Sequence, residues 1–186
     1  KKGAMRHGYN VQLPQYNPGE TFPDDADILV GGGGQDSGQG KIHDDLLHIG
    51  TTLKQLADDG APMLMICGLY QLFGHYFLTN DGTKIPGIGI LDIETRAGGS
   101  RLIGNIVTHS DELGDIIGYE NHSGQTFLGS NVTAFGTVQK GAGNNGHDKT
   151  EGARYNNVIG TYLHGSLLPK NPQVADWLLR QAALRK

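Results

Sequence analysis

Residues 63–74, with the sequence M-L-M-I-C-G-L-Y-Q-L-F-G, decide the fold class of this chain. Residues 63–66 are all apolar, which is typical of a strand that is buried on both faces of a parallel sheet. Cys67 and Gly68 follow at once, and the pattern after them favours a helix over residues 69–78. A buried strand that turns sharply into a helix is the repeating unit of α/β proteins.

Strands and helices alternate on both sides of this unit. Residues 26–30 form a second apolar run that ends in four glycines, and the next apolar residues recur at helical spacing, namely Ile42, Leu46, Ile49, Leu53 and Leu56. Residues 158–163 predict a late strand, and Pro172 begins a predicted final helix. Further strands are expected between Gly, Asn and Ser turns, at residues 88–94, 101–108, 115–119 and 132–138. The sequence therefore predicts an α/β fold, a three-layer, open, mostly parallel sheet flanked by helices.

The composition excludes several classes of protein. A chain of 186 residues is expected to form one domain, residues 1–186, and we expect a strand to precede Lys1. The 15 Lys and Arg residues against 19 Asp and Glu residues leave no basic excess for binding nucleic acid. No apolar run approaches the roughly 20 residues that span a bilayer. The single cysteine excludes an internal disulfide and a thiolate zinc cluster, and no metal site is predicted.

Cys67 is the candidate nucleophile. At the carboxyl end of a strand it would lie in the crevice where open α/β sheets bind ligands, on a sharp turn that exposes its side chain. The first free N–H groups of the following helix would stabilise a thiolate and, later, an oxyanion. The alternative is a buried cysteine that packs as a small hydrophobic residue, and this segment alone does not decide between the two.

A cysteine nucleophile needs a base, and eight histidines are available. His164 ends the predicted strand 158–163 and is followed by Gly165, so it too would lie at the carboxyl end of a strand. His122, within G-Y-E-N-H-S-G, is the second candidate. A satisfied core histidine is the alternative for His164. His43 and His48 lie on different faces of the predicted amphipathic helix and are expected in solvent. Three more histidines lack apolar positioning and are expected at the surface: His7, His75 and His147.

Two glycine-rich loops stand out. Residues 31–41, G-G-G-G-Q-D-S-G-Q-G-K, fail as a phosphate-binding P-loop, because Gln35 and Ile42 occupy positions that need Gly and Ser or Thr. Their backbone N–H groups suit an oxyanion hole or a carboxylate contact, and a plain turn is the alternative. Without a nucleotide-binding motif, this chain is not expected to use ATP by itself. The second loop, residues 141–151, is the most polar segment, and we expect it to be mobile.

Three segments together resemble a known family. They are I-C-G-L-Y-Q around Cys67, G-Y-E-N-H-S-G around His122, and Y-L-H-G-S-L-L-P-K-N-P around His164. The segments resemble the class I glutamine amidotransferases of the cobyric-acid-synthase-like branch, and within it the GatD-type glutaminase subunits of lipid II isoglutaminyl synthases. The resemblance spans residues 28–179 and implies a flavodoxin-like open sheet with helices on both faces.

The resemblance implies catalytic roles. Cys67 matches the nucleophile of the family and His164 its base. Gly34 and the backbone N–H of Gly68 or Leu69 would form the oxyanion hole.

It also implies two residues that bind substrate. Arg101, in G-G-S-R-L-I-G-N, matches the arginine that holds the α-carboxylate of glutamine, a contact that suits a guanidinium fork. An exposed strand arginine is the alternative for Arg101. Gln71, four residues after Cys67, matches a position that recognises glutamine.

The implied activity is the hydrolysis of L-glutamine to glutamate and ammonia. A Mur-ligase-like partner subunit, MurT, would use the ammonia to amidate the D-glutamate of lipid II in peptidoglycan synthesis. ATP and Mg²⁺ are expected in that partner, and no cofactor is expected in this chain. The implied location is the cytoplasm, at the inner face of the membrane, through the substrate rather than an anchor.

The sequence departs from the family pattern in two places. Met65 and Leu69 stand where glycine is usual on either side of Cys67. His164 is followed by residues 165–167, Gly-Ser-Leu, rather than by Pro-x-Glu, so no acid is obviously placed to orient it. Because the nearest downstream acid, Asp176, is expected on the solvated face of the final helix, we predict that an Asp or Glu of the partner completes the site.

Three other functions stay open at this point. The chain could be the glutaminase subunit of a cobyrinate-type amidotransferase. It could be a non-catalytic glutamine-binding module, which would bind glutamine without making glutamate. It could also be a cysteine hydrolase or peptidase without an ammonia acceptor, which would stay active after the loss of Arg101.

Overall fold

The computed structural model describes residues 2–32 and 39–185. Its helices are α1 (Lys2–Arg6), α2 (Gln39–Asp58), α3 (Gly68–Leu72), α4 (Leu167–Lys170) and α5 (Pro172–Arg185). Its strands are β1 (Leu29–Gly31), β2 (Met63–Ile66), β3 (Tyr76–Leu78), β4 (Lys84–Pro86), β5 (Ile93–Ser110), β6 (Gly114–Leu128), β7 (Gly136–Lys140), β8 (Thr150–Glu151), β9 (Ala153–Tyr155) and β10 (Val158–Thr161). In the part of the chain that the structure describes, no helix is both long and apolar enough to cross a membrane.

The first sheet has the strand order β1-β2-β10-β9, and β2 lies parallel to both β1 and β10. Alternate residues of β2 point to opposite faces of the sheet. Met63 and Met65 pack in a buried cluster with Leu53 of α2, and Leu64 packs in a second cluster with Trp177 of α5. This sheet is therefore covered by a helix on each face, which gives three layers and explains why β2 is apolar throughout.

The second sheet has the order β4-β3-β5-β7-β8, and β6 pairs with β5. β5 and β6 form a long antiparallel hairpin whose register shifts between Ala97 and Leu102. Tyr119 of β6 also pairs with His164 in an isolated antiparallel bridge. The hairpin is thereby joined to the chain that follows β10, at the carboxyl end of the parallel strands.

The predicted α/β class, with helices flanking a mostly parallel sheet, is confirmed for the first sheet. The second sheet differs in detail from the prediction, since β3, β4 and β8 were not expected, β5 and β6 are longer than the predicted strands, and the strand expected at 88–94 begins only at Ile93. The helix predicted over residues 69–78 is wrong after Leu72, because residues 76–78 pair with β4 and β5 instead. Gly74, between the two, lies so close to Ile93 that a side chain would collide there.

The polar loop 141–151, which we expect to be mobile, is packed into the protein rather than extended into solvent. Asn144 and Asn145 are buried within it, and Asn144 donates hydrogen bonds from Nδ2 to the Thr150 hydroxyl (2.9 Å) and the Gly152 carbonyl (3.0 Å). The buried Glu120 of β6 accepts the Ala142 and Gly143 N–H groups, which are part of the same loop. The polar side chains fold inward because they satisfy buried backbone groups.

Candidate active site

Cys67 lies on a sharp turn between β2 and α3. Its backbone adopts φ 56° and ψ −109°, a conformation that costs on the order of 1–3 kcal/mol for a residue other than glycine. Two backbone hydrogen bonds hold the turn. The Cys67 N–H donates to the Thr161 carbonyl (2.9 Å), and the Cys67 carbonyl accepts from the Gln71 N–H (3.0 Å). This geometry matches the strained strand-to-helix turn that presents a nucleophile at the top of a sheet.

His164 reaches the same place from the neighbouring strand. Because Ile66 and Thr161 are opposite each other in the parallel register of β2 and β10, the chain leaves both strands at one edge of the sheet. The backbone of His164 is fixed to Tyr119, with its N–H donating to the Tyr119 carbonyl (2.8 Å) and its carbonyl accepting from the Tyr119 N–H (3.2 Å). Cys67 and His164 both line one cavity. Burial lowers the pKa of His164 below its ordinary value, which favours the neutral form that a general base needs.

No acid orients His164 within the described residues. Its Nε2 is buried without a hydrogen-bond partner there, and no carboxylate oxygen of these residues lies within 4.0 Å of its ring. Asp176, the nearest downstream acid, lies 3.1 Å from Nε2 of His7 on the exposed surface. Asp176 thus pairs with His7 and does not contact His164.

Arg101 and Gln71 line the same cavity as the cysteine and the histidine. Arg101 is exposed on β5, and its Nη1 donates a hydrogen bond to Oδ1 of Asn121 on β6 (2.7 Å), which limits where the guanidinium can point. Gln71 of α3 donates from Nε2 to the hydroxyl of the buried Tyr162 (3.0 Å). The structure brings the two residues to the site, and it ties the amide of Gln71 to the core.

The start of α3 offers backbone donors beside Cys67. The N–H groups of Gly68 and Leu69 donate no hydrogen bond to another described residue. A side chain at Gly31, the end of β1, would collide with Leu69, so the glycine-rich loop begins directly against the turn. Gly34, the other predicted oxyanion residue, lies outside the described residues.

His122, the second candidate base, is a buried wall of the cavity. Its ring stacks on Tyr162 at 3.5 Å between centroids and 3° between planes, and Nδ1 lies 2.7 Å from the Gly124 carbonyl. Burial is the main cause that lowers the pKa of His122 to about 4, and the charge of the nearby His164 acts in the same direction. His122 is therefore a neutral, fixed ring near pH 7.

Sequence reasoning missed the polar network beneath the site. The Tyr162 hydroxyl accepts from Gln71 and lies 2.7 Å from the Thr126 hydroxyl. Glu151 is buried, and its carboxylate accepts from the Thr161 hydroxyl and the Tyr162 N–H. No spacing rule marks these residues, since Glu151 ends a loop whose sequence looks solvated. Among the described residues, no group of three His, Cys, Asp or Glu side chains could hold a metal ion.

Comparison with known proteins finds a family whose sequence pattern matches most of the chain. Residues 4–172 match the CobB/CobQ-like glutamine amidotransferase domain. The chain is 44% identical over 188 residues to the lipid II isoglutaminyl synthase (glutamine-hydrolyzing) subunit GatD of Staphylococcus aureus, covering 100% of this chain and 76% of that protein. It is 36% identical to the same-named subunit of Streptococcus pneumoniae, covering 86% of this chain and 62% of that protein.

More distant similarity extends to a cobyric acid synthase and to two solved structures. The cobyric acid synthase of Limosilactobacillus reuteri is 34% identical over 138 residues, which cover 69% of this chain and 26% of that protein. A solved glutamine amidotransferase superposes with a TM-score of 0.68 at 14% identity, covering 98% of this chain and 91% of that one. PurLQS from Thermotoga maritima gives a TM-score of 0.63 at 15% identity, covering 87% and 82%. At such low identities the two structures bear on the fold alone.

Proposed function

The chain belongs to the family of CobB/CobQ-like glutamine amidotransferases, and from this premise we propose that it is the glutamine-hydrolysing subunit of a lipid II isoglutaminyl synthase. The observation that carries the proposal is the single cavity that Cys67, on its strained turn, lines together with His164 and Arg101. The relatives from Staphylococcus aureus and Streptococcus pneumoniae are named as glutamine-hydrolysing subunits, which supports the choice of reaction.

The proposed reaction begins at Cys67. Its thiolate attacks the side-chain amide carbon of L-glutamine, and the carbonyl π electrons move onto the oxygen, where the N–H groups of Gly68 or Leu69, together with Gly34, stabilise the oxyanion. His164 has taken the proton of the Cys67 thiol to form that thiolate, and it now delivers this proton to the amide nitrogen, which leaves as ammonia while a thioester remains on Cys67. His164 then accepts a proton from water as the water attacks the thioester, which releases glutamate and regenerates the thiolate.

Substrate binding is assigned to Arg101 and Gln71. The guanidinium of Arg101 would form a charge-assisted, bidentate pair with the α-carboxylate of glutamine, and Asn121 holds it in place for this contact. Gln71 contributes the wall of the cavity and links it to Tyr162 in the core.

A separate ligase would consume the ammonia. The relatives are named as subunits of a synthase that acts on lipid II, and the partner we propose is the Mur-ligase-like MurT subunit, which would hold ATP and Mg²⁺ and amidate the D-glutamate of lipid II. The complex would then work in the cytoplasm at the inner face of the membrane. Since no described acid lies beside His164, we propose that a carboxylate of this partner orients its ring.

The second candidate is the glutaminase component of a cobyrinate-type amidotransferase. Cobyric acid synthases support it at 34% identity over 69% of this chain, whereas the lipid II subunit of Staphylococcus aureus matches over the full chain at 44%. The two functions share the chemistry of Cys67 and differ only in the acceptor of ammonia.

The proposal is tested by supplying the purified chain with glutamine, ATP, lipid II and the Mur-ligase-like subunit of the same organism. We expect glutamate to form and the mass of lipid II to fall by the difference between a carboxyl and a carboxamide group. Amidation of cobyrinate in place of lipid II would favour the second candidate. Glutamine binding without glutamate formation would reduce the chain to a binding module.

Replacing Arg101 with Ala is expected to weaken glutamine binding. The loss of a charged hydrogen-bond partner costs about 1.5–3 kcal/mol, so the KM for glutamine should rise roughly ten- to a hundred-fold with a smaller change in kcat. The matched control is Arg96→Ala, because Arg96 is another arginine of β5 but pairs with Glu94 outside the cavity. An unchanged KM with a collapsed kcat would remove Arg101 from this role.

A further inference from the structure

Glu151 is a buried carboxylate that the reaction above does not use. It is 0% exposed, and it closes β8 immediately before Gly152. Oε1 accepts the Tyr162 N–H (2.8 Å), and both oxygens lie 3.0 Å from the Thr161 hydroxyl that donates to them. Burying a carboxylate is unfavourable unless such bonds compensate for lost water. These bonds go to the two residues at the carboxyl end of β10.

Thr161 links this carboxylate to both catalytic residues. Its carbonyl accepts the N–H of Cys67 (2.9 Å), one of the two bonds that hold the strained turn. Its hydroxyl, while donating to Glu151, accepts the N–H of Leu163 (3.0 Å), the residue directly before His164. A shift of Thr161 would therefore move the backbone of Cys67, and it would also move the backbone of Leu163, which leads to His164.

Tyr162 extends the same link to the substrate side of the site. Its N–H is bound by Glu151, and its hydroxyl accepts from Gln71 (3.0 Å). Its ring packs face to face with His122. The Glu151 carboxylate thus fixes the peptide between Thr161 and Tyr162. Four residues that line the cavity contact or follow this peptide, namely Cys67, Gln71, His122 and His164.

We propose that Glu151 is a positioning residue for glutamine hydrolysis, since its ionised carboxylate fixes residues 161–162 and so sets the geometry of Cys67 and His164. This inference rests on the proposed glutaminase function. It concerns the alignment of the reacting groups rather than contact with glutamine, and misplacing such groups by about 1 Å can cost on the order of a hundred-fold in rate.

The protonation state of Glu151 gives the proposal a signature. Burial raises the pKa of Glu151 to about 7, and the Glu120 carboxylate of β6 acts in the same direction, whereas the bonds from Tyr162 and Thr161 oppose it. Tyr70 of α3 is a further titratable neighbour. Protonation places an O–H against groups that are themselves donors. The hydrogen bonds that the Glu151 carboxylate accepts from Thr161 and Tyr162 are therefore all present above about pH 7, and they are lost as the pH falls through about 7.

The test compares Glu151→Gln with Glu120→Gln. Glu120 is the matched control because it is also buried and its hydrogen bonds come from the loop N–H groups of Ala142 and Gly143, while its one further polar neighbour is Nε2 of His122 at 4.0 Å. For Glu151→Gln we expect kcat at pH 8 to fall at least about ten-fold, a smaller change in KM, and loss of the decline in rate near pH 7. For Glu120→Gln we expect the plateau kcat to persist, with the decline moved to lower pH because a charge that raises the pKa of Glu151 is gone.

A folded Glu151→Gln protein with the wild-type kcat and pH profile would overturn the proposal. If that variant does not fold, as judged by circular dichroism, Thr161→Val replaces it, because only the hydroxyl between Glu151 and Leu163 is then removed. A wild-type kcat and pH profile in Thr161→Val would overturn the proposal equally.

Alkylation of Cys67 by iodoacetamide separates this inference from the proposed function. We expect Cys67 to react more slowly in Glu151→Gln than in the wild type or Glu120→Gln, because the thiolate loses its alignment with His164. Equal rates in all three proteins would count against the role of Glu151. A wild-type chain that makes no glutamate would instead refute the glutaminase function, whatever the alkylation rates.

Discussion

Cys67→Ser is expected to lower the rate of glutamate formation by about a thousand-fold or more. A serine hydroxyl at this position is not ionised near neutral pH, whereas the cysteine can react as a thiolate that His164 and the donors at the start of α3 stabilise. Loss of the nucleophile removes the covalent step, and the remaining site offers only binding and an oxyanion hole. The measurement is the initial rate of glutamate release at saturating glutamine, for the chain alone and with the ligase subunit.

The serine variant should remain folded, because serine keeps the size of the side chain and the backbone bonds of the turn to Thr161 and Gln71. Its thermal unfolding midpoint is therefore the control, together with unchanged binding of the ligase subunit. Residual turnover above about a tenth of the wild-type rate would show that another group performs the chemistry.

The isolated chain should be a weak glutaminase that the ligase subunit activates at least about ten-fold. A Cys–His pair works best when a third group fixes the imidazole tautomer and stabilises its charge. No carboxylate oxygen of the described residues lies within 4.0 Å of the His164 ring. We therefore expect kcat to rise on complex formation, and steady-state kinetics over a titration of the partner measures this directly.

Substitution of carboxylates on the partner locates the activating group. One interfacial Asp→Asn or Glu→Gln change should remove the rise in kcat while the complex stays intact by size-exclusion chromatography. Asp176→Asn is the control in this chain, since Asp176 bonds to His7 and should be neutral to activity. Full activity of the isolated chain, or its silencing by Asp176→Asn, would mean that the acid is within this chain.

Much of the site could be predicted from sequence because parallel strands end at a common edge. Cys67 and His164 each follow a short apolar run, and the runs prove to be neighbouring parallel strands, β2 and β10. The apolar strand pattern gives way to a helical pattern after Cys67, and this change predicts the turn. The turn requires the strained positive φ that Cys67 adopts. The end of a strand is a local feature of the sequence, so a single sequence is enough to predict it.

The rest depends on contacts between distant segments. Glu151 meets Thr161 and Tyr162 only because β9 turns back antiparallel to β10, and no local pattern specifies that pairing. The β5–β6 hairpin, which carries Arg101 and His122, was predicted only as separate shorter strands. Arg101 was found through the family resemblance, since an arginine on an exposed strand carries no distinguishing signal of its own.

The most direct test of the central claim is covalent trapping of the chain with a glutamine analogue that carries an electrophile in place of the amide. We predict a mass increase of one analogue per chain, located by peptide mapping at Cys67, absent in Cys67→Ser and slowed by excess L-glutamine. An analogue that attaches to any other residue, or fails to attach while glutamine is being hydrolysed, would contradict the assignment of Cys67 as the nucleophile of a glutaminase.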